Sequence, residues 1–304
     1  MKPFFFLFSC LFSMTTFAQN TVLPLWPNDI PNSIKTDEKE EVVSADIVRI
    51  AKVQVPQIEV YLPAKKIATG QAVLIFPGGG YGILAYDWEG TDFAKFLNGK
   101  GIAGIVVKYR LPNSKSVTEK HKVPLQDAQR AIRTVRSKAR EWNIDPHNIG
   151  IIGFSAGGHL ASTLGTHYNE VVYAKQDDID QLSARPDFMT LAYPVITLGE
   201  PNTHGGSRKN LLGENPTQQM VDHFSNELQV TTDTPPTFLL HASDDKAVPV
   251  ENSLLFYTAL VKNQVPTEMH IYPTGGHGFA LGLQEAHLAS WTEQWVGWLT
   301  NLKK

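Results

Sequence analysis

A serine in a glycine-rich turn is the first feature of the chain that could do chemistry. Ser155 lies in the run Gly-Phe-Ser-Ala-Gly at residues 153–157, which follows the apolar residues 149–152. A serine on a tight turn between a strand and a helix presents its hydroxyl above the sheet, and small residues on both sides let the chain pass close by. The pattern predicts Ser155 as a nucleophile, with an incidental glycine-rich turn as the alternative.

A histidine and an aspartate later in the chain could activate this serine. A serine hydroxyl needs a base, and the base needs an acid that orients it. His277 lies among glycines after an expected strand at residues 268–272, and Asp244 and Asp245 follow an expected strand at residues 237–241. We predict His277 as the base, the alternative being a loop histidine bonded to backbone. We predict Asp245 as the acid and Asp244 as a residue of the turn.

A run of three glycines could bind the negative oxygen that develops when a serine attacks a carbonyl group. Residues 77–81, Pro-Gly-Gly-Gly-Tyr, follow an expected buried strand at residues 72–76. We predict an oxyanion hole made by Gly79 or Gly80 together with the amide of Ala156. A phosphate or dinucleotide loop is disfavoured, because the second half of Gly-x-Gly-x-x-Gly and a following Lys-Ser or Lys-Thr are absent. No cofactor is predicted.

Several histidines raise the question of a metal site. They lack the i, i+4 helical pairing and the acidic partners that zinc sites usually show. We therefore predict no metal site and, apart from the base, structural roles. The histidines considered are His241, His270, His277 and His287.

Apolar runs alternate with amphipathic stretches along most of the chain, after a proline-rich lead. Such alternation predicts an α/β fold with a mostly parallel central sheet and helices on both faces. Two alternating runs, residues 47–50 and 58–62, predict antiparallel edge strands before this region. The other expected strands are 72–76, 102–107, 149–154, 188–193, 237–241 and 268–272, and the expected helices are 88–98, 124–142, 159–167, 251–262 and 285–302.

Two of the expected helices carry faces that could be mistaken for binding surfaces. The polar face of helix 124–142 is rich in arginine, and we predict that it is solvated. The stripe of tryptophans near the carboxyl terminus could be a sugar platform, but the i, i+4, i+7 spacing favours the buried side of a terminal helix. The polar face consists of Gln129, Arg130, Arg133, Arg136 and Arg140, and the stripe consists of Trp291, Trp295 and Trp298.

The first eighteen residues differ from the rest of the chain. Lys2 precedes an apolar run that ends at Thr-Phe-Ala before a polar pair. This predicts a signal peptide over residues 1–18, because the apolar core is shorter than the ~20 residues that a membrane span needs. A membrane anchor and a lipoprotein signal at Cys10 are the alternatives. We expect an exported protein, periplasmic or extracellular, free of the membrane after cleavage and without a disulfide.

The remaining residues, 19–304, are predicted to form a single domain with a cap-like insertion at residues 195–236. Segments of that length between two strands are usually functional or lid-like. The 304 residues include 27 Lys and Arg against 30 Asp and Glu, a formal charge of −3. Because no basic block is present, we expect no nucleic-acid partner.

From about residue 45 onward the chain resembles an α/β-hydrolase, and within that fold the bacterial secreted carbohydrate esterases that include acetylxylan esterases and feruloyl-esterase-like proteins. The order Ser, Asp, His along the chain is the order of that fold, and Asp245 stands three residues before Val-Pro as in many of its acid loops. In related lipases and esterases a histidine opens the glycine run, whereas this chain has Pro77. The resemblance rests on residues 76–81, 109–111, 127–131, 153–160, 245–249 and 276–279.

This resemblance implies a serine carboxylic ester hydrolase, most directly one that removes acetyl groups from xylan or related plant polysaccharides. The substrate would then be an ester-bearing carbohydrate. Three alternatives stay open: a feruloyl esterase, a peptidase of the prolyl-oligopeptidase type, and a carbohydrate-binding module on the same fold without catalysis.

Overall fold

A computed structural model describes residues 21–302 of the chain. The predicted signal peptide at residues 1–18, with Cys10, lies outside the described residues. Within them, no helix combines the length and the apolar character that crossing a membrane requires.

The described residues contain a central sheet of eight strands and a small sheet of three. The central sheet has the order β1-β4-β7-β5-β8-β9-β10-β11, and the small antiparallel sheet has the order β2-β3-β6. β1, β4 and β7 pair antiparallel, and all pairs from β7 to β11 are parallel. The strands are β1 (Thr21–Pro24), β2 (Glu41–Ser44), β3 (Val48–Ala51), β4 (Gln57–Tyr61), β5 (Ala72–Phe76), β6 (Leu84–Ala85), β7 (Ala103–Lys108), β8 (Ile149–Phe154), β9 (Met189–Ala192), β10 (Thr237–Ala242) and β11 (Thr267–Tyr272).

Helices cover both faces of the central sheet. Alternate residues of one strand belong to different cores: Ile105 and Val107 of β7 belong to one buried cluster, and Val106 belongs to the other. Period-two alternation of this kind requires apolar residues on both faces, which explains the continuous apolar strands. The helices are α1 (Asp92–Gly99), α2 (Val123–Lys138), α3 (Ser155–His167), α4 (Gly205–Leu212), α5 (Gln218–His223), α6 (Glu251–Lys262), α7 (Ala286–Ala289) and α8 (Trp291–Asn301).

The predicted mostly parallel sheet with helices on both faces is confirmed, but the positions of the first strands are not. Neither alternating run forms an edge of the central sheet. Strand β4 lies second from the edge because β1, within the proline-rich lead, pairs outside it. Strand β3 lies in the small sheet between β2 and β6. The terminal helix is also two helices, which meet at Ser290.

The tryptophan stripe is part of the core, as the spacing predicted. Trp291 and Trp295 are fully buried, and their indole nitrogens donate to the Ala280 carbonyl at 3.0 Å and to the Thr190 hydroxyl at 2.7 Å. Trp298 is half-buried, with its ring against Phe238 at 5.6 Å between centroids. A sugar platform would need exposed rings, so this stripe does not provide one.

The prediction of a solvated arginine face on α2 is wrong for its central residues. Gln129 and Arg130 are buried, because the chain that follows α3 crosses this face. Arg130 donates Nη2 to Asp177 at 2.6 Å and Nη1 to Asp180 at 2.9 Å. Of the five residues, Arg140 is the one that is exposed. A charged helix face can therefore be an internal surface when the covering segment supplies carboxylates.

A second buried ion pair joins α2 to the end of β7. Arg110 donates Nη2 to Oδ1 of Asp127 at 2.8 Å and Nε to Oδ2 at 2.9 Å, and both side chains are at most 1% exposed. The same carboxylate accepts the Arg110 backbone amide and the indole N–H of Trp26, each at 2.9 Å. Asp127 therefore holds together the lead segment, the sheet and α2.

Replacing Asp127 by alanine should strongly destabilise the fold. The substitution leaves a buried guanidinium without its anion, which costs about 3–5 kcal/mol of unfolding free energy. Urea unfolding of Asp127→Ala against the parent chain measures this loss. Glu141→Ala is the control, because Glu141 pairs with Lys138 at the surface and such pairs contribute about 0–1 kcal/mol. Equal losses in the two variants would contradict the structural role of Asp127.

Candidate active site

Ser155 occupies a strained turn at the junction of β8 and α3. Its φ is 52°, in the left-handed region that costs roughly 1–2 kcal/mol for a residue with a side chain. The turn is held by close backbone contact on both sides: a Cβ at Gly153 would lie 2.2 Å from the Gly157 carbonyl oxygen, and a Cβ at Gly157 would lie 2.2 Å from the Phe76 carbonyl oxygen. Gly153 and Gly157 are therefore required for steric reasons, as the sequence predicted.

The structure brings Ser155, His277 and Asp245 into one hydrogen-bonded row. Nε2 of His277 lies 2.8 Å from Oγ of Ser155, and Nδ1 lies 2.6 Å from Oδ2 of Asp245. A carboxylate can only accept, so Nδ1 carries a proton and Nε2 is the nitrogen that can accept from the serine. The three residues follow β8, β10 and β11, at the carboxyl ends of parallel strands along one edge of the sheet.

The carboxylate of Asp245 is fixed by more than the histidine of the row. Its Oδ1 accepts the backbone amides of Ala247 and Val248, each at 2.9 Å, and its Oδ2 also lies 3.2 Å from Nε2 of His241. Burial acts to raise the pKa of Asp245, but hydrogen bonds from His241 and His277 outweigh it and hold that pKa well below its usual range. The group is therefore an anion throughout the neutral and mildly acidic range.

Asp244 is not part of this hydrogen-bonded row. Its Oδ1 accepts the backbone amide of Gly276 at 2.7 Å, next to His277. The side chain thus supports the turn that carries the histidine and does not contact the imidazole. This agrees with the prediction that Asp244 belongs to the turn.

The glycine loop after β5 lies beside Ser155 and leaves two amides free of internal acceptors. Gly79 and Gly80 have φ values of 130° and 62°, which the loop uses to turn its amides. Neither amide donates to an acceptor within residues 21–302. The amide of Ala156 is in the first turn of α3, where helical N–H groups have no partner in the helix itself. These are the donors proposed from the sequence.

Glu89 braces this loop, and sequence reasoning missed it. Its buried Oε2 accepts the amide of Gly78 at 2.8 Å, and its Oε1 accepts the hydroxyl of Tyr193 at 2.8 Å. The same Tyr193 hydroxyl accepts the amide of Ala280 at 3.1 Å, in the loop that carries the histidine. Burial raises the pKa of Glu89. One buried carboxyl therefore connects the glycine loop to the histidine loop.

Two tyrosines complete the support of the glycine loop, which opens with Pro77. The Tyr109 hydroxyl donates to the Pro77 carbonyl at 2.7 Å. Tyr81 lies 2.8 Å from Nδ1 of His159, whose Nε2 lies 2.8 Å from the Phe224 carbonyl. Because a carbonyl only accepts, the imidazole donates to Phe224 and the tyrosine donates to the imidazole. Burial lowers the pKa of His159 to about 4, so this ring is neutral.

A cavity of about 550 Å³ lies at the serine and histidine. Trp88 forms one wall, and its indole N–H donates to the Gly278 carbonyl at 2.8 Å. The segment 195–236, predicted as cap-like, contains α4 and α5 and contributes His204 to the wall. Nδ1 of His204 accepts the Ser207 amide at 3.2 Å and so begins α4. The lining residues are Asp46, Ile47, Gly79, Gly80, Ala85, Trp88, Glu89, Ser155, His204, Ala247, His277, Gly278 and Gln284.

Comparison with known proteins places the chain in a family. The BD-FAE family model matches residues 58–260. The chain is 38% identical over 231 residues to endo-1,4-beta-xylanase B of Butyrivibrio fibrisolvens, covering 76% of this chain and 36% of that protein. It is 36% identical over 230 residues to an acetylxylan esterase of Xylanibacter ruminicola, covering 74% of this chain and 44% of that protein. The chain thus spans less than half the length of these curated relatives.

A solved structure extends the similarity over nearly the whole chain. The acetyl ester-xyloside bifunctional hydrolase of Caldicellulosiruptor lactoaceticus is 39% identical with a TM-score of 0.81, covering 93% of this chain and 97% of that one. The sheet order, the strained serine turn and these comparisons agree. The chain therefore belongs to the BD-FAE family and has the α/β-hydrolase fold.

Proposed function

We propose that the chain is a serine carboxylic ester hydrolase that works through an acyl-enzyme. The hydrogen-bonded row of Ser155, His277 and Asp245 carries this proposal. In the first half-reaction, Oγ of Ser155 bonds to the ester carbonyl carbon while its proton moves to Nε2 of His277. The imidazolium then gives that proton to the departing alcohol oxygen as the carbon-oxygen bond breaks. A water molecule repeats the sequence and releases the acid.

The glycine loop would stabilise the tetrahedral intermediates. The carbonyl oxygen becomes negative when the serine attacks, and the amides of Gly79 or Gly80 and of Ala156 are the donors available to it. Asp245 stays ionised beside Nδ1 of His277, so it stabilises the imidazolium that forms in each step. The left-handed turn at Ser155 would help to fix Oγ within hydrogen-bond distance of the base.

The proposed substrate is an acetylated xylan or its oligosaccharides, with feruloyl esters as the weaker alternative. The cavity is bordered by polar groups that suit sugar hydroxyls, including Asp46, His204 and Gln284. A long alkyl chain would cover these polar groups without offering them hydrogen-bond partners, which disfavours lipids. A curated relative is named an acetylxylan esterase, and the similar solved protein is described as an acetyl ester-xyloside hydrolase. We further propose export through residues 1–18, because polymeric xylan lies outside the cell.

Removing the nucleophile or the base should abolish most of the activity. Ser155→Ala and His277→Ala are each expected to lower kcat by roughly 10⁴-fold or more, since the residues act as a unit. A fluorophosphonate probe should label Ser155 in the parent chain, as read by mass spectrometry of the intact protein and its peptides. Ester hydrolysis by a chain that the probe leaves unmodified would contradict the serine mechanism.

Substitutions of the two neighbouring aspartates should differ sharply in their effects on activity. Asp245→Asn is expected to lower kcat by roughly 10³–10⁴-fold, because an amide group does not hold His277 in the required tautomer. The matched variant Asp244→Asn should retain most of the activity, since its amide oxygen can still accept from Gly276. Steady-state kinetics with a soluble acetyl ester makes the comparison. A larger loss in Asp244→Asn would reverse the assignment of the acid.

In the parent chain, kcat/KM should fall on the acid side with the uptake of a single proton. The imidazole must be neutral to accept from Ser155, while the low pKa of Asp245 keeps its carboxyl ionised until far lower pH. The acid limb of log kcat/KM against pH should therefore have unit slope. A steeper limb over the range in which the protein stays folded would mean that a second group of the row is also protonated.

The choice of acyl group tests the proposed substrate. Acetate release from acetylated xylooligosaccharides should exceed hydrolysis of methyl ferulate and of p-nitrophenyl octanoate, compared as kcat/KM with one preparation. Ser155→Ala serves as the control for spontaneous hydrolysis. Faster turnover of the octanoate would contradict the carbohydrate assignment, and faster turnover of the ferulate would move it to feruloyl esters.

A further inference from the structure

Two histidines and a glutamate meet at the far end of the helix that begins with Ser155. His167 is the last residue of α3, Glu170 follows it by three positions, and His223 is the last residue of α5 in the segment 195–236. One ligand atom from each lies within 4.8 Å of the others. The two imidazole centroids are 4.6 Å apart, and Nε2 of His223 lies 3.4 Å from Oε2 of Glu170.

The imidazole of His167, one of the three residues of this cluster, has an unpartnered nitrogen. The residue is 7% exposed, and its buried Nε2 has no hydrogen-bond partner among the described residues. Its Nδ1 lies 2.8 Å from Oγ1 of Thr166, and that hydroxyl lies 2.8 Å from the Ser162 carbonyl. When the hydroxyl proton goes to the Ser162 carbonyl, which can only accept, Nδ1–H donates to Thr166. Nε2 is then left with a free lone pair, the form in which imidazole binds a metal.

The other two residues are held close by the backbone around them. The Glu170 amide donates to the His167 carbonyl at 3.0 Å, which fixes the turn after α3. His159, which lies earlier in α3, is hydrogen-bonded to the carbonyl of Phe224, the residue that follows His223. A cavity of about 210 Å³ adjoins the cluster and is lined in part by Glu170, His223 and a further imidazole, His121. The three donors are therefore positioned before any ligand arrives.

We propose that His167, Glu170 and His223 form a binding site for Zn²⁺. Two imidazole nitrogens and one carboxylate oxygen are a ligand set that Zn²⁺ uses, whereas Ca²⁺ and Mg²⁺ prefer oxygen ligands throughout. Water or His121 would complete the coordination. A surface contact between His223 and Glu170 alone would leave the lone pair of His167 unexplained. A buried water bound to that nitrogen is the second alternative, and the experiment must distinguish it from a bound zinc ion.

The metal would have a structural role. The helix rises by about 1.5 Å per residue, so its last residue lies roughly 18 Å from Ser155, too far to touch a reacting ester. Its ligands come from α3, which carries the proposed nucleophile, and from α5 of the segment 195–236. That segment also contributes His204 to the wall of the cavity at Ser155. Zinc would thus join the segment 195–236 to the core helix at its outer end. The site is independent of the proposed esterase function.

Zinc binding can be measured without any catalytic readout. Tag-free protein treated with EDTA and dialysed is titrated with ZnCl₂ by calorimetry, and its thermal unfolding is followed with and without ZnCl₂. We expect one Zn²⁺ per chain, a higher Tm in its presence, and no comparable effect of MgCl₂. His223→Gln and Glu170→Gln should each weaken binding by at least about 10-fold. His147→Gln, at an exposed histidine elsewhere, is the matched control and should bind as the parent does.

Absence of saturable zinc binding by the parent chain would overturn the proposal and would leave the buried water as the partner of His167. Binding that the two substitutions leave unchanged would equally overturn it, because the metal would then lie elsewhere. His223 and Glu170 are partly exposed, so the folding of their variants is checked directly from the unfolding curves without metal. Loss of ester hydrolysis in Ser155→Ala affects neither result.

Discussion

Close packing of the first turn of α3 against the ends of β5 and β8 is the constraint on which the rest of the structure depends. The backbone of Ser155 is held in a conformation that an isolated chain would rarely adopt. Gly157 lies against the carbonyls of Phe76 and Pro77 at the end of β5, so no side chain fits between the helix and the strand at this point. Two buried layers, one on each face of the sheet, keep both elements in place. The position of the serine is therefore a property of the whole core and not of its loop.

The site is built from separate loops, and buried polar groups make those loops into one unit. Asp245 receives two backbone amides and two imidazoles, so its carboxylate has little freedom to turn. Glu89 and Tyr193 connect the glycine loop with the histidine loop through hydrogen bonds. Buried polar networks of this kind are stable only when each member is satisfied. The same networks connect the glycine loop to the loop that carries His277 and so fix the position of one relative to the other.

The sequence was enough to predict features that depend on neighbouring residues. It was not enough to predict features that depend on contacts between residues far apart in the chain. The serine turn, the glycine loop and the acid and base candidates are short patterns at strand ends, and the structure brings them together. Glu89 carries no such signal, because its partner Tyr193 is 104 residues away and it lies in an irregular helical turn, Asp87–Thr91. Arg130 looked solvated for the same reason: the carboxylates that bury it belong to a later segment.

Trp88, in the wall of the cavity at Ser155, is a fluorescent group located at the site itself. Of the six tryptophans in the chain, Trp88 is the one that lines the cavity, while Trp26, Trp142, Trp291 and Trp295 are buried in the core. Indole emission depends on the polarity around the ring, so any ligand that displaces water from this wall would change the emission of one residue against a constant background. Through its hydrogen bond to Gly278, the same indole also senses the loop next to His277. Intrinsic fluorescence is thus a built-in reporter of occupancy.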